Sequence, residues 1–408
     1  MTTCRFCSSP LTLTLVDLGT TPLANSNLRS RDEIVSEKSF PLHVMVCDEC
    51  RLAQTTETIP ADAIFHDDYA YFSSFSNSWV EHARCYCEEM TVRFGLGSGS
   101  LVMEVASNDG YLLQHFVKAG VPVLGIEPAG NCAVEAERRG VPSIVEFFGS
   151  ELAGRLVSQG QQADLMAANN VLAHVPDISD FIKGFSIALK PEGVVTFEFP
   201  HLLNLINLVQ FDTIYHEHYS YLSLIAVETI MRRHGMRVFD VQQLPTHGGS
   251  LRVFACRESA SHAEMKGLGE IRALEKAARL DESAGYEGFT AKVEKVRDDF
   301  LTFLADARKA GQSVIGYGAA AKGNTFMNYC GLNETDIDYV ADRNVHKQGR
   351  LLPGIHAPIC DPARIAETRP DYVVILPWNL AHEIQQQLPQ IREWGGRFVT
   401  AIPELKVF

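Results

Sequence analysis

Long apolar stretches are missing from this chain. No uninterrupted hydrophobic run approaches the roughly 20 residues that a bilayer-crossing helix needs. The opening MTTCRFCSSP has no apolar core of the kind a secretory leader carries. A cytoplasmic protein with no membrane partner is the expectation. A basic excess is missing too: 36 Lys+Arg stand against 50 Asp+Glu, a formal charge of -14. Such a surface repels phosphate backbones, so a general role on nucleic acid is excluded unless one local patch runs against the average. Ten cysteines in 408 residues are too sparse for a disulfide scaffold. With 46% hydrophobic and 21% charged residues, composition is that of an ordinary globular protein, and the length supports two or three domains.

What cysteine there is clusters. Cys4 and Cys7 form one CxxC pair, and Cys47 and Cys50 form another. Two residues between thiolates let a tight turn aim both sulfurs at one tetrahedral ion, and two such turns close a Cys4 site. All four positions come from protein, which leaves none for substrate, so the metal is structural and zinc is its default identity. Strand-like pieces at 11–18 and 40–47 lie within this module, assigned to residues 1–72. From 73 to 245, apolar runs at 101–106, 123–127, 163–169 and 194–199 alternate with helical segments, which implies a parallel sheet with crossovers. Residues 262–305 read as one or two helices. They lead into a second alternating unit within 246–408, with strands at 313–317, 337–341 and 372–376. The fold class is α/β.

Three segments carry chemistry. LVMEVASNDGYLLQHF reads strand–turn–helix: Gly110 permits a close backbone approach, while Asn108 and Asp109 are placed to cap a helix starting near Tyr111. Glu127 ends the next strand, where a carboxylate suits ribose hydroxyls. Paired with Glu104, it suits a cationic, adenosine-bearing ligand better than a phosphate-rich dinucleotide. In VIGYGAAAKGNTF the turn N–H groups and Lys322 offer an anion site. Its GYGAAAKG lacks GxGxxG, although Asp342 keeps an NAD reading open; His247, Gly248, Gly249, Ser250 and Arg252 would join that site or link the domains. FDTIYHEHYSYLS crowds Tyr215, His216, Glu217, His218, Tyr219 and Tyr221 together. A metal on His216 and His218, a structural cluster, or acid–base chemistry are all open on residue type alone.

EVASNDGYLL resembles motif I of class I S-adenosylmethionine-dependent methyltransferases, IEPAG their acidic second strand, and DLMAANNVLAHVPD their fourth-strand motif. More narrowly, nearly the whole chain is similar to the sugar C-methyltransferases that act on nucleotide-linked 4-keto-6-deoxysugars. The similarity runs through CxxC…CxxC, YAYFSSFSNSWVEHA, ANNVLAHVPD, FEFPHL…YHEHYSYLS, GGSLR and GYGAAAKGN. It implies a structural zinc module, a central methyltransferase domain that binds S-adenosylmethionine, and a C-terminal Rossmann-like domain without its own dinucleotide. Cofactor contacts are then expected at Glu104, Ser107, Asn108, Gly110, Glu127, Pro128, Asn169 and Asn170. The resemblance makes His218 the base that takes the sugar C-3 proton to give an enolate, with Tyr215, Glu217, His174 and Tyr69 lining the pocket. His201 and His174 are the fallback bases. The partner is a nucleotide-diphosphate-linked ketosugar, held by His247, Arg252, Lys322 and Asn324, in deoxysugar biosynthesis. An NAD(P)-dependent sugar oxidoreductase using the C-terminal unit is the competing enzyme reading, and a non-catalytic zinc module is the third. Oligomeric state is unreadable from the residues; a monomer is compatible with them.

Overall fold

The computed structural model describes residues 2–60 and 72–408. Among these residues the strands form three sheets. The first joins β1 (Leu13–Pro22), β2 (Ser39–Val46) and β3 (Ala53–Thr55), and its pairing is antiparallel throughout. In β2 the alternation is of period two: Leu42, Val44 and Val46 are buried while Pro41 is exposed and His43 and Met45 are half-buried, as a one-sided sheet requires.

The central sheet contains β4 (Val102–Val105), β5 (Val123–Ile126), β6 (Ser143–Ile144), β7 (Ala163–Asn169) and β8 (Leu189–Pro200), all parallel. After β9 (Ser220–Tyr221) comes the hairpin of β10 (Met236–Leu244) and β11 (Ser250–Arg257), which closes one edge in the order β10-β11-β8-β7-β4-β5-β6. Because β4 lies between β5 and β7, the chain winds outward on both sides of it. The crevice at its carboxyl end is where open α/β sheets bind ligands. Every residue of β4 is buried, as both faces are covered by helices.

The third sheet runs β14 (Ile359–Cys360), β13 (Val340–Ala341), β12 (Val314–Tyr317), β15 (Tyr372–Ile375), β16 (Arg397–Thr400) and β17 (Lys406–Val407), with only β17 antiparallel. Helices Lys266–Ala277 and Phe289–Lys309 realise the helical segment expected at 262–305.

Strand pairing bears on one boundary read from the sequence, and one capping expectation needs correction. A boundary at 245/246 falls inside the β10–β11 hairpin, whose register pairs Leu244 with Ser250, so the central sheet continues to Arg257. The helix after the Gly110 turn spans Leu113–Lys118 and has no side-chain cap. Asn108 and Asp109 are already engaged: Asn108 Oδ1 accepts the Ser73 N–H at 2.8 Å, and Asp109 pairs with Arg139 at 2.7 Å and accepts the Ser74 hydroxyl.

The units interlock. Strand β9, from the central segment, pairs with β3 of the first sheet through Ala53–Tyr221 and Gln54–Ser220. Leu28 bridges Leu351 of the C-terminal unit, and Glu37 pairs with His356 there at 2.8 Å.

Candidate active site

The four cysteine sulfurs lie within 4.8 Å of one another, with Cys4–Cys50 at 3.6 Å, Cys7–Cys47 at 3.4 Å and Cys7–Cys50 at 3.7 Å. A tetrahedral ion with Zn–S bonds of about 2.3 Å separates its sulfurs by about 3.8 Å, so the donor set fits zinc. Both turns place the residue after the second cysteine in the left-handed region, Ser8 at φ 63° and Arg51 at φ 60°. Their N–H groups return to the first cysteine's carbonyl at 2.9 Å. The Gln54 side-chain amide donates to the Cys4 sulfur at 3.1 Å, a supporting bond of the kind that orients metal ligands.

This module carries the histidine-rich segment. Arg5, between the two thiolates of the first turn, donates to the Thr55 carbonyl at 2.7 Å and to the Tyr219 carbonyl. The Tyr219 hydroxyl in turn donates to the Ile59 carbonyl. The position of the YHEHY segment is thus tied to the metal fold.

At the carboxyl ends of the central strands, the expected cofactor residues converge. Glu104 is fully buried and neither oxygen has a hydrogen bond of good geometry; burial, then the Glu127 and Asp109 charges, push its pKa up, with Tyr111 the neighbour that opposes the rise. Ser107 Oγ, Asn169 Oδ1 and Asn170 Oδ1 are also buried without partners. Unsatisfied acceptors around one crevice cost free energy until a ligand meets them. A cationic, hydroxyl-bearing ligand such as S-adenosylmethionine fits that set.

Glu127 is less free than its strand-end position suggests, since its oxygens accept the Asn108 and Ala129 N–H groups, each at 2.8 Å. Each oxygen keeps one acceptor position for a ribose hydroxyl. Pro128 follows directly in the same turn. Gly110 makes its close approach to protein rather than to ligand. At φ 75° a Cβ there would meet Ala136 Cα at 3.2 Å and Val141 Cγ2 at 3.1 Å. Gly110→Ala is therefore expected to destabilise the protein by roughly 1–3 kcal/mol, from overpacking and left-handed strain together, measurable by urea unfolding.

The histidine-rich segment packs on the turn that follows β7, where the Tyr219 N–H donates to the Ala173 carbonyl at 2.8 Å. His218 Nδ1 lies 2.8 Å from the Thr213 carbonyl, which can only accept, so Nδ1 carries the proton and Nε2 keeps its lone pair. Tyr215 lies against the ring at 4.0 Å between centroids, and His174 meets it edge-on at 4.6 Å. Burial lowers the His218 pKa well below the usual imidazole value, helped by His174, Lys322 and His247. His174 is held down to about 4 by burial. Both rings are neutral at pH 7.

Glu217 is buried, with a raised pKa, and accepts the Asn25 side-chain amide at 2.6 Å, with Lys347 nearby. His216 turns away from the pocket, its Nε2 3.2 Å from the carbonyls of Phe40 and Pro41. A shared metal on His216 and His218 has no geometry here. Among the described residues, the four cysteines are the cluster that could hold an ion. His201 pairs with buried Glu275 at 2.7 Å, and Glu275 also accepts the N–H groups of Leu224 and Ile225. That makes His201 a structural residue rather than a fallback base. Tyr69 lies outside the described residues.

Of the expected substrate contacts, His247 reaches the site: it sits 3.0 Å from Asn170 Nδ2 and is held down to about 4 by burial. Asn324 is buried with its Oδ1 unpartnered, on helix Ala321–Tyr329. Arg252 does not reach a diphosphate. Its guanidinium is 3.1 Å from Glu198 and 3.4 Å from Glu89, lies over the Tyr86 ring, and fastens helix Asn77–Phe94 to the sheet. Asp342, read as a ribose ligand, accepts the N–H groups of Ala319 at 2.6 Å and Asn344 at 2.7 Å, one on each oxygen, and so braces the turn after β12.

Residue spacing missed Ser73, Ser74 and Arg139 on the cofactor turn, and Asp212, Lys347 and Trp378 beside the histidines. Ser73, Ser74 and Asp212 fall inside segments the sequence singles out, whereas Arg139, Lys347 and Trp378 reach the site only through the fold. A cavity of about 790 Å³ opens among Arg93, Asp164, Lys190 and Phe239. It lies at the amino ends of β7 and β8, away from this chemistry.

Family models match three consecutive stretches: a zinc binding domain at 4–65, a methyltransferase domain at 79–241, and a C-methyltransferase C-terminal domain at 245–403. The chain is 38% identical over 404 residues to C-methyltransferase NovU of Streptomyces niveus, covering 99% of this chain and 96% of that one. A ubiquinone biosynthesis O-methyltransferase of Methylobacterium sp. (strain 4-46) is 27% identical over 101 residues, 24% of this chain and 39% of its own. Among solved structures, magnesium protoporphyrin IX methyltransferase from Synechocystis PCC 6803 with bound S-adenosylmethionine aligns at TM-score 0.34 and 15% identity, over 44% of this chain and 79% of that one. No oxidoreductase is among these likenesses.

Proposed function

The chain belongs to the S-adenosylmethionine-dependent C-methyltransferases of which NovU is a member, and on that premise we propose that it methylates C-3 of a nucleotide-linked 4-keto-6-deoxysugar, with His218 as the base. The observation that carries this reading is the tautomer of His218. With Nδ1–H committed to the Thr213 carbonyl, Nε2 keeps its lone pair on a ring packed between Tyr215 and His174.

A carbon beside a ketone carries a weakly acidic hydrogen. Removing it needs a base that is unprotonated at working pH and held within reach. Nε2 takes that proton, the C–H electrons form the C-3=C-4 bond, and the ketone π electrons move to oxygen. S-adenosylmethionine, when bound, supplies an activated methyl group, so carbon–carbon bond formation needs chiefly alignment. Tyr215 and His174 hold the imidazole plane against rotation. Glu104 would meet the cofactor's positive charge, and Asn169, Asn170, Ser107 and Glu127 would supply its polar contacts. The Asn25 amide holds Glu217, which is an acceptor for a sugar hydroxyl. His247 and Asn324 face the substrate. In this division of labour residues 1–72 hold zinc, the central sheet holds the methyl donor, and the C-terminal unit holds the nucleotide.

The test is incubation of the purified enzyme with S-adenosylmethionine and a panel of dTDP-, GDP- and CDP-linked 4-ketosugars. The expected product is heavier by one methylene, with the new methyl bonded to C-3 by NMR. A product methylated on oxygen or nitrogen contradicts the proposal.

A further inference from the structure

Lys322 belongs to the GYGAAAKG turn, where its residue type suggests a phosphate ligand, yet its ammonium is engaged by side chains of the segment after β15. It sits 5.0 Å from the centre of the Trp378 ring and 3.3 Å from Asn379 Oδ1. The Trp378 indole N–H donates to Asp212 Oδ2 at 2.7 Å. Asp212 directly precedes Thr213, whose carbonyl fixes the base, His218. The helix that bears Lys322 is pinned to the same segment, because Thr325 Oγ1 donates to the Ile214 carbonyl at 2.9 Å.

From the other side, Gly248 lies flush on Trp378, and a Cβ there would meet the indole at 2.5 Å. That brings His247 alongside. Asp212 is buried, and its second oxygen has no partner. The helix carrying Lys322 and the Asp212–Thr213 segment that holds His218 are therefore in direct contact.

We propose that Lys322 is a catalytic residue, whose ammonium receives the negative charge that develops on the ketone oxygen as His218 removes the neighbouring proton. The inference rests on the reading of His218 as base. The electron flow needs such a group: the pair leaving the C–H bond ends on the carbonyl oxygen, and an unpaired oxyanion in a buried pocket is costly. The pair then returns to reform C=O as C-3 bonds to the methyl carbon and the S–C bond's electrons stay on sulfur. The proton remains on His218 until solvent takes it. Asp212 and Trp378 are positioning residues, the first by charge and the second by its ring face. The same cation that stabilises the enolate also keeps His218 neutral, which suits a base that must start unprotonated.

The test uses the full chain carrying Lys322→Met, Lys322→Arg or His218→Gln. The probe is a dTDP-linked 4-keto-6-deoxyhexose in deuterium oxide with S-adenosylhomocysteine, read by NMR for deuterium at C-3. Lys322→Met is expected to slow both exchange and kcat by about 10²–10³-fold, the usual cost of losing an oxyanion partner, with KM nearly unchanged. Lys322→Arg, which keeps the charge, should recover part of both. The acid limb of kcat/KM should also move to higher pH in Lys322→Met, because a neighbouring cation no longer opposes protonation of His218. A rise in KM with kcat preserved would make Lys322 a diphosphate ligand and overturn the proposal, as would unchanged exchange. Should Lys322→Met fail to bind S-adenosylhomocysteine, the KM and kcat split in Lys322→Arg decides. Normal exchange in His218→Gln would instead remove the base assignment, a separate failure.

Discussion

His218→Gln is expected to lower turnover by roughly 10²–10⁴-fold, the usual worth of a positioned general base. Gln can keep a hydrogen bond to the Thr213 carbonyl, which His218 Nδ1 holds at 2.8 Å in the native ring, so the loop geometry survives while the basic nitrogen is lost. Binding of S-adenosylhomocysteine should therefore stay within about threefold, a change of less than about 0.7 kcal/mol. The pH profile carries an independent signature. Burial holds the His218 pKa well below its ordinary value, so the base is unprotonated throughout the neutral range. The native kcat/KM should accordingly be flat through neutrality, falling only in acid as Nε2 takes a proton. That limb should vanish from the residual activity of the variant. Near-native turnover in His218→Gln would dismiss the assignment.

Removing zinc is expected to abolish activity, not merely to soften a peripheral module. Structural zinc in small Cys-rich folds contributes on the order of 10 kcal/mol of folding free energy. Here that energy reaches the reacting segment by a short route. The Cys4–Cys7 turn aims Arg5 at the Tyr219 carbonyl, and β3 pairs with β9 at Ser220 and Tyr221, two and three residues from His218. Without the ion, four thiolates within 4.8 Å repel or reprotonate, the turn opens, and the Tyr219 anchor is released. Cys47→Ser should lose zinc by elemental analysis, unfold at lower temperature, and show turnover reduced in step with its zinc content. A zinc-free chain with native turnover would show that the module is independent of the site.

Much of this was legible in the residues. The CxxC pairs specify a closed metal site by spacing alone. The SNDG turn and the acidic strand end place a cofactor crevice at a switch point, because strand–turn–helix order and parallel topology leave few alternatives. The limits of that reasoning are equally specific. Arg252 reads as an anion ligand by type, but Glu198 and Glu89 come to it from distant parts of the chain and consume its charge. Gly110 reads as a ligand-facing glycine, whereas the neighbour it makes room for, Ala136, belongs to helix Gly130–Arg138, beyond the next strand. Short-range pattern cannot see such partners. Nor could it see that the central sheet draws in β11 and the first sheet draws in β9, since strand pairing is settled by register across long intervals. Trp378 and Asp212 are separated by 166 residues in sequence and joined by one hydrogen bond.

A crystal structure of the native enzyme with S-adenosylhomocysteine and a nucleotide 4-ketosugar would bear on the chemistry at first hand. The imidazole should stand with Nε2 about 3–3.5 Å from the sugar carbon that gains the methyl, a near-attack distance. If that nitrogen instead lies too far to reach the C–H bond, even across a single ordered water, proton abstraction by His218 is contradicted.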